Sequence, residues 1–505
     1  MTPAIELIGI DKRFGAVHAN KDVSLTIAQG SIHGIIGENG AGKSTLMSIL
    51  FGFYAADKGE IKVKGQPAKI KSSFDAINLG IGMVHQHFML VDPFTVLENV
   101  VLGAEGGRLI GPALAKARAE LTRLARDYEL DVDPDAIVGE LPVGLQQRVE
   151  ILKALFKGAE TLILDEPTGV LTPDEADHLF RILGQLRGQG KTVILITHKL
   201  REIMAITDHV SVMRRGELVA TKETKHTSVE ELAELMVGRR VLLRVEKGKA
   251  KPGAVVLEVK NLTWRDRKGT ARVDNVSFNV RAGEIVGIAG VSGNGQSELL
   301  DLIAGITRPA SGEIIFEGKS VGMMGDPRYL RREGVAHVPE DRQHRGLITS
   351  FDASESGILG WHYDEALGKG FRLDREAVVN RCQSEMREFD VRPIEPFVKS
   401  GKMSGGNQQK LIVTREHKRK PDMLIVGQPT RGVDIGAIEF IHRRLIELRD
   451  QGKAVLLVSV ELDEIRSLSD RILVMFAGKI MGERDASADE RELGLLMAGV
   501  SKDAA

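Results

Sequence analysis

Cysteine is almost absent from this chain: Cys382 is the one thiol among 505 residues. A single cysteine excludes an internal disulfide and any zinc site built on several thiolates, and it fits a reducing, cytoplasmic compartment. Cys382 lies beside Glu385 on a stretch that reads as polar helix, where an inert thiol is expected rather than a nucleophile. An excess of one charge is also missing, since 69 Lys and Arg stand against 70 Asp and Glu for a net charge of −1. No nucleic-acid partner is therefore expected. The basic run Arg415-Glu416-His417-Lys418-Arg419-Lys420 reads as a solvated helix face. No apolar run approaches the ~20 residues that cross a bilayer. Residues 1–10 lack the basic-then-apolar order of a signal peptide. Any membrane role is expected to come through a partner. With 42% hydrophobic and 28% charged residues the composition is that of a globular protein, and the length calls for two or more domains.

What the chain does contain is a copy of itself. Asp22-Val-Ser-Leu-Thr-Ile-Ala-Gln-Gly-Ser-Ile-His-Gly-Ile-Ile-Gly37 returns as Asn275-Val-Ser-Phe-Asn-Val-Arg-Ala-Gly-Glu-Ile-Val-Gly-Ile-Ala-Gly290. Leu162-Ile-Leu-Asp165-Glu166-Pro-Thr168 returns as Leu424-Ile-Val-Gly427-Gln428-Pro-Thr430. Order is kept and spacing nearly so, which marks a duplicated domain rather than a solenoid. The charged stretch 243–255 carries Gly and Pro and no apolar period, and predicts the junction. Domains are expected at 1–242 and 255–500, with 501–505 as a frayed end. Runs at 31–37, 161–165 and 192–197 read as buried parallel strands, and 114–128 as an amphipathic helix. Strands that alternate with helices predict an α/β fold around a mostly parallel sheet.

The chemistry begins at Gly37-Glu38-Asn39-Gly40-Ala41-Gly42-Lys43-Ser44-Thr45, which matches G-x-x-x-x-G-K-[ST] between a predicted strand and a helix. Its glycines permit positive φ and let successive N–H groups converge on phosphate oxygens. The following helix aims its positive end at the same anion. Lys43 is placed to reach the β- and γ-phosphates and Ser44 to bind Mg²⁺. Downstream, an apolar strand ends in Asp165 and Glu166. We assign Asp165 to Mg²⁺ through water, and Glu166 to orienting and polarising the attacking water. Alone, such an acidic pair is as readily a helix cap; after a phosphate loop it reads as chemistry. Gln86 follows the strand-like Ile81-Gly-Met-Val-His85 and is expected to reach both Mg²⁺ and the water. His198 ends Val193-Ile-Leu-Ile-Thr197 as a donor to the γ-phosphate. Phe14, in Lys12-Arg-Phe14, offers an aromatic face for adenine, though a core phenylalanine is the plain alternative. Trp264 is its counterpart candidate in the second half.

Together with Ser404-Gly405-Gly406-Asn407-Gln408, this set resembles the ATPase subunits of ABC transporters, twice over nearly the whole chain. Phosphate loops are shared by many NTPases; Ser-Gly-Gly-x-Gln ahead of a strand in the acidic-pair position narrows the field. The resemblance implies two tandem nucleotide-binding domains, each with a mostly parallel sheet core, an antiparallel β part and a helical subdomain. It implies ATP and Mg²⁺ as ligands. It further implies head-to-tail pairing, in which each ATP lies between one domain's phosphate loop and the other's signature. Sorted that way, the first site combines 37–45, Gln86, Asp165, Glu166 and His198 with Ser404, Gly405, Gly406, Gln408 and the D-loop Asp434, and every position fits the family pattern. The second combines Gly290-Val-Ser-Gly-Asn-Gly295-Gln296-Ser297 with Leu141-Pro142-Val143-Gly-Leu-Gln146. There Gln296 replaces the lysine, Gly427 the aspartate, Gln428 the glutamate, Val460 the histidine and Glu340 the glutamine. Pro142 and Val143 interrupt the facing signature, and its D-loop, Val170-Leu-Thr172, lacks the aspartate. The losses fall on one composite site.

Fused pairs of this kind resemble the energising subunit of bacterial importers of nucleosides and simple sugars. Pro142-Val-Gly-Leu-Gln-Gln-Arg148, Val338-Pro-Glu-Asp-Arg342 and Gln428-Pro-Thr-Arg-Gly-Val-Asp434 look most like the nucleoside branch, with a monosaccharide importer as the alternative. That resemblance implies two transmembrane permease subunits, an extracytoplasmic solute-binding protein, and a peripheral place on the cytoplasmic face of the inner membrane. Permeases are expected to dock on the segments after Gln86 and Glu340. One such segment is His87-Phe88-Met-Leu-Val-Asp-Pro-Phe94, whose apolar residues serve equally well to pack a helical subdomain. Among non-transport readings, a ribosome-associated ABC factor would carry a long charged linker between two intact sites. A DNA-repair ABC ATPase would need cysteine-rich zinc modules. A purely regulatory nucleotide module conflicts with the intact Glu166 and His198.

Overall fold

A computed structural model describes residues 3–15, 17–85, 88–103, 110–169, 171, 173–240, 245, 247–291, 293–321, 326–369 and 372–500. The chain divides into two compact units, Met1–Val241 and Leu242–Ala505.

The first unit opens with β1 (Pro3–Phe14), β2 (Val17–Ala28), β3 (Ile32–Gly37), α1 (Lys43–Leu50), β4 (Lys58–Val63) and β5 (Gln66–Ala68). It continues through α2 (Ser73–Asn78), β6 (Ile81–Val84), α3 (Val96–Val101), α4 (Ile110–Asp127) and α5 (Val143–Phe156). Then come β7 (Thr161–Asp165), α6 (Pro173–Gly188), β8 (Thr192–Ile196), α7 (Leu200–Ile206), β9 (His209–Arg214), β10 (Glu217–Glu223) and α8 (Val229–Val237). In β2, Val23, Leu25 and Ile27 point inward while Ser24 and Thr26 face solvent, the period-two pattern of a half-buried strand. It pairs antiparallel with β1 in the sheet β2-β1-β4-β5. β3 is buried at every position and takes the interior of a second sheet, β10-β9-β3-β8-β7-β6, parallel except at β9–β10. Val23, Leu25 and Ile27 share one core with Leu46, Met47 and Leu50 of α1 and with Ile163, Ile194 and Ile196 of the parallel sheet. Each such side chain contributes about 1.5–3 kcal/mol by burial. That core clamps α1 between the sheets and brings its first turn to the carboxyl ends of β3, β7 and β8, where open α/β sheets bind ligands.

The second unit repeats the plan with β11 (Val255–Arg265), β12 (Ala271–Arg281), β13 (Ile285–Ala289), α9 (Gln296–Ile303), β14 (Ser311–Phe316), β15 (Lys319–Ser320), α10 (Pro327–Arg332) and β16 (Val335–Val338). A subdomain follows with α11 (Ala353–Gly357), the short pair β17 (Gly368–Lys369) and β18 (Arg372–Leu373), α12 (Arg375–Glu388) and α13 (Gly405–His417). The unit closes with β19 (Met423–Gly427), α14 (Ile435–Asp450), β20 (Ala454–Ser459), α15 (Leu462–Leu468), β21 (Arg471–Phe476), β22 (Lys479–Asp485) and α16 (Glu490–Met497). Its sheets run β12-β11-β14-β15 and β16-β19-β20-β13-β21-β22. Both units thus carry the mostly parallel core, the antiparallel part and the helices that the family resemblance implied.

The stretch read as a junction is tied to the second unit: Val245 packs on its core, and Lys247 donates to the carbonyls of Leu468 (3.0 Å) and Ser469. Cys382 is buried on α12, where burial above all, with Glu385 and Asp352 adding to it, pushes the thiol up to about 12. At neutral pH it is not a thiolate. Among the described residues no helix is long and apolar enough to cross a membrane.

Candidate active site

The phosphate loop of the first unit is shaped by contacts that forbid side chains. A Cβ on Gly37 would lie 2.3 Å from the Met213 carbonyl oxygen, and one on Gly42, at φ 99°, 2.3 Å from that of Ala19. Asn20 Nδ2 donates to the Gly42 carbonyl at 3.1 Å and locks the turn into α1. Lys43 is 5% exposed, and its Nζ donates to the carbonyls of Gly37 (2.7 Å) and Glu38 (3.1 Å). Burial pulls the ammonium below its usual range, against the carboxylates of Glu166, Asp165 and Glu38. The Ser44 hydroxyl meets the Asp165 carboxylate, which burial and then Glu166 push up while Ser44 and Lys43 oppose. Hydroxyl and carboxylate oxygens side by side at a phosphate loop are the donor set of a hard cation such as Mg²⁺. Phe14 is 42% exposed and meets Tyr54 edge-on, with ring centroids 5.1 Å apart. Tyr54 escaped the sequence reading, although the aromatic pair Phe53-Tyr54 directly after α1 was a signal for it.

Glu166 follows β7 in the left-handed region at φ 48°, held there by its N–H on the Ile196 carbonyl at 2.8 Å. Its Oε1 lies 2.9 Å from His198 Nδ1. Burial pushes the Glu166 carboxyl up, but the bond and charge of His198 with the charges of Lys43 and Lys199 outweigh it and hold it below the usual range. The loop carrying His198 is braced from beneath by buried Glu202, which accepts from the hydroxyls of Thr197 (3.0 Å) and Thr168. Sequence reading missed Glu202, yet the repeat marks it: Leu200-Arg-Glu202-Ile203 matches Leu462-Asp-Glu464-Ile465. Gln86 lies outside the described residues, as do Val170 and Thr172.

The second unit repeats the backbone of this site at two positions and changes its side chains. Gly42 and Gly295 share φ 99° and ψ 2°. Gln296, in the place of Lys43, is buried with Nε2 unpartnered by protein. Gln428 takes the left-handed position at φ 47°, with its N–H on the Val458 carbonyl at 2.8 Å. Its Oε1 accepts from the Val460 N–H at 3.2 Å, where the first unit has a carboxylate against an imidazole. An amide cannot take a proton at neutral pH. Trp264 is not the counterpart of Phe14. Ile10 pairs with Val23 as Leu262 does with Val276, so Trp264 matches Lys12 and packs on the core, and Asp266 stands at Phe14's place.

The signature opens α13. Ser404 caps it, its Oγ accepting from Asn407 Nδ2 at 2.9 Å. Gly406 lies against Asp434, since a Cβ there would be 2.5 Å from Asp434 Oδ2, and Asp434 itself caps α14 through the Ala437 N–H at 2.7 Å. Arg342 donates to the carbonyls of Arg431 (2.6 Å) and Gly432 (3.3 Å), which fixes the D-loop beside the signature. Gln408 is 1% exposed and donates to the Ser400 carbonyl at 2.9 Å, bracing the turn in front of the signature. In the first unit Pro142 occupies the same cap position of α5 with similar dihedrals, φ −54° against −62°, and no side-chain cap bond.

Comparison with known proteins bears on this arrangement. The family profile described as "ABC transporter" matches residues 20–169 and again 273–431. The nucleoside import ATP-binding protein NupA of Lactococcus lactis is 49% identical over 98% of this chain and 98% of its own. The guanosine import ATP-binding protein NupO of Bacillus subtilis is 47% identical over 99% of this chain and 98% of its own. The glucose import ATP-binding protein TsgD13 of Haloferax volcanii is 43% identical over 98% and 96%.

Proposed function

The chain belongs to the ABC transporter family, and on that premise we propose that it is the ATP-hydrolysing subunit of a nucleoside importer, with one phosphate loop equipped for turnover. The observation that carries the reading is the 2.9 Å contact of Glu166 with His198 beside the Ser44–Asp165 pair, against Gln428 and Val460 in the other unit. The loop N–H groups and Lys43 bind the β- and γ-phosphates. Ser44 and Asp165, with Gln86, hold Mg²⁺, which supplies positive charge to the phosphates when bound. Glu166, kept ionised by His198, accepts a hydrogen bond from water and aims its lone pair at the γ-phosphorus. As the new P–O bond forms, the β–γ bridging bond breaks, ADP leaves with the electron pair, and the proton released by the water passes to Glu166. His198 holds Glu166 through Nδ1, and in its imidazolium form, which has a donor on each nitrogen, it also donates from Nε2 toward the γ-phosphate. Phe14, with Tyr54 at its edge, stacks on adenine.

The sorting of intact and altered motifs supports a composite first site, in which Ser404, Gly405, Gly406 and Asp434 serve the ATP held by Lys43. Gln408 keeps the signature turn in shape. Partner permeases and an extracytoplasmic solute-binding protein complete the importer, with this chain peripheral on the cytoplasmic face of the inner membrane. Exposed Phe53, Met89 and Phe94 support docking next to the first site. Asn99 on Val91 and Lys153 on the Met89 carbonyl hold that segment. In the second unit, a cavity of about 350 Å³ lined by Pro339, His337, Arg331, Arg345 and Arg415 supports docking next to Glu340. Nucleoside rather than sugar import is supported by the higher identity to NupA and NupO than to TsgD13. Uptake of labelled nucleosides and of monosaccharides by vesicles holding the chain and its co-purifying membrane proteins tests this. Sugar uptake without nucleoside uptake would reverse the assignment.

A further inference from the structure

The basic run 415–420, which reads in the sequence as a solvated helix face, turns inward at Arg415, Glu416 and Arg419. Arg415 is 3% exposed and Glu416 is fully buried near the end of α13, the helix that Ser404 opens. Arg415 donates to the carbonyls of Gly346 (2.9 Å) and Ser356 (3.1 Å), and through Nε to Glu416 at 2.8 Å. Just past the helix, Arg419 donates to Asp364 Oδ2 at 2.5 Å and lies over the ring of Trp361, 4.5 Å from its centroid. A second guanidinium, that of Arg331, lies over the same ring at 5.6 Å. Arg331 stands on α10, which leads into β16 of the sheet core and lies outside the subdomain that carries α13. Beside it, Arg328 and Arg332 of α10 lie over Tyr363 at 4.6 and 5.4 Å.

Between α10 and α13 the packing is open. The cavity of about 350 Å³ is lined by Ala304, Leu330 and Arg331 on the core side and by Arg415 on α13, in an interior where side chains otherwise interdigitate. Arginine–aromatic stacks join the two sides. Room for them is built into the backbone, since a Cβ on Gly360, at φ 80°, would overlap Arg331 Nη1. Among the described residues Trp361 Nε1 has no hydrogen-bond partner, so the indole is held through its ring rather than its polar edge. The first unit lacks the cations for this arrangement. Gly80 and Gly334 precede β6 and β16 alike, which sets Phe74, Ile77 and Asn78 of α2 where α10 has Arg328, Arg331 and Arg332. The stacks therefore serve the helix with the intact signature, and the helix that follows Pro142 goes without them.

We propose that Trp361 is a positioning residue for hydrolysis at the first loop: stacked with Arg331 and Arg419, it ties the far end of α13 to the sheet core of its own unit and thereby fixes Ser404. This rests on the composite site proposed above, in which Ser404 serves the ATP held by Lys43. From Ser404 to Arg419 the chain rises roughly 20 Å at ~1.5 Å per residue. A rigid helix carries a tilt at one end to the other, and a misplacement of about 1 Å at a reacting group is enough to slow chemistry. One arginine–aromatic stack is worth about two- to fivefold in an equilibrium at an exposed site, and more where it is desolvated. Trp361 carries two.

The test is a double-variant cycle on the full chain with its co-purifying permeases: Trp361→Leu, Ser404→Ala and the two together. Steady-state ATPase is the readout, with binding of the β,γ-imido analogue of ATP measured alongside. Trp361→Leu is expected to lower kcat about three- to tenfold and to leave binding of the analogue unchanged. Trp361→Phe, which keeps an aromatic face, should recover most of the loss. Because the clamp acts through Ser404, the loss in the double variant should fall well short of the product of the two single losses. A residue that only supports the fold would give losses that multiply. Arg328→Gln with Arg332→Gln strips exposed cations from Tyr363 without opening the core, and it should lower kcat about threefold with the same shortfall, even if Trp361→Leu does not fold. Unchanged turnover in Ser404→Ala would bring down the composite site and the clamp together. If Ser404→Ala lowers turnover while the Trp361 and arginine variants do not, or if their losses multiply with it, the clamp alone is overturned.

Discussion

His198→Ala isolates the one contact that sets the two units apart most clearly. The substitution removes a 2.9 Å hydrogen bond between an imidazole and a carboxylate. Bonds of that kind to charged groups contribute about 1.5–3 kcal/mol, and each ~1.4 kcal/mol is tenfold in rate. The side chains are 31% and 19% exposed, so solvent screens part of the effect and the lower end applies. Turnover is expected to fall about tenfold from this bond alone, and further through the lost donor to phosphate, while nucleotide binding persists. The pH profile carries a second sign. Glu166 is depressed because His198, Lys43 and Lys199 together outweigh burial. Without the ring the balance tips toward burial and the carboxyl protonates at higher pH. The acid limb of kcat should therefore move toward neutrality. Steady-state ATPase across the acid range, with nucleotide binding measured alongside, reads both. His198→Asn, whose amide donates to Glu166, should move the limb part of the way back. An unmoved acid limb with kcat unchanged would refute the role given to this pair.

Three further outcomes are expected. Glu166→Gln should leave ATP binding intact and cut turnover by about 10²–10⁴; near-normal ATPase would remove Glu166 from the mechanism. Ser404→Ala should lower permease-coupled ATPase about tenfold or more, whereas Pro142→Ala, which already lacks a cap bond, should change it little. The reverse result would invert the composite assignment. Changing Phe88 and Phe94 together to Ser should weaken co-purification with the permeases more than nucleotide binding, and full co-purification would move the docking surface elsewhere.

The parts legible in the sequence were those whose chemistry is contiguous. Gly37 to Ser44 form one loop because glycine spacing, strand and helix adjoin along the chain, and the Asp165-Glu166 pair ends an apolar strand that could only be internal. Duplication was legible because Gly-Ile-Ile-Gly37 and Gly-Ile-Ala-Gly290 repeat in order. Relations across strands were not. Glu340 reads along the chain as a loss of glutamine and Gly427 as a loss of aspartate; only the parallel pairing of β16 with β19 shows that one fills the other's space. Trp264 misled as the counterpart of Phe14 for the same reason, because its place is set by pairing with Val273 rather than by its distance from the phosphate loop. Glu202 was overlooked because its only mark in the sequence is the repeat with Glu464, which carries no catalytic motif.

The matching dihedrals of Gly42 and Gly295 have a practical consequence. The glycine turn into the helix keeps its shape between the two loops while lysine becomes glutamine and the strand-end aspartate becomes glycine. The chain therefore carries its own internal control. A phosphate ligand titrated against both loops in one molecule meets the same glycine turn, at the same temperature and ionic strength. The difference in its affinity reads the joint effect of exchanging Lys43 for Gln296 and Asp165 for Gly427 beneath the same turn.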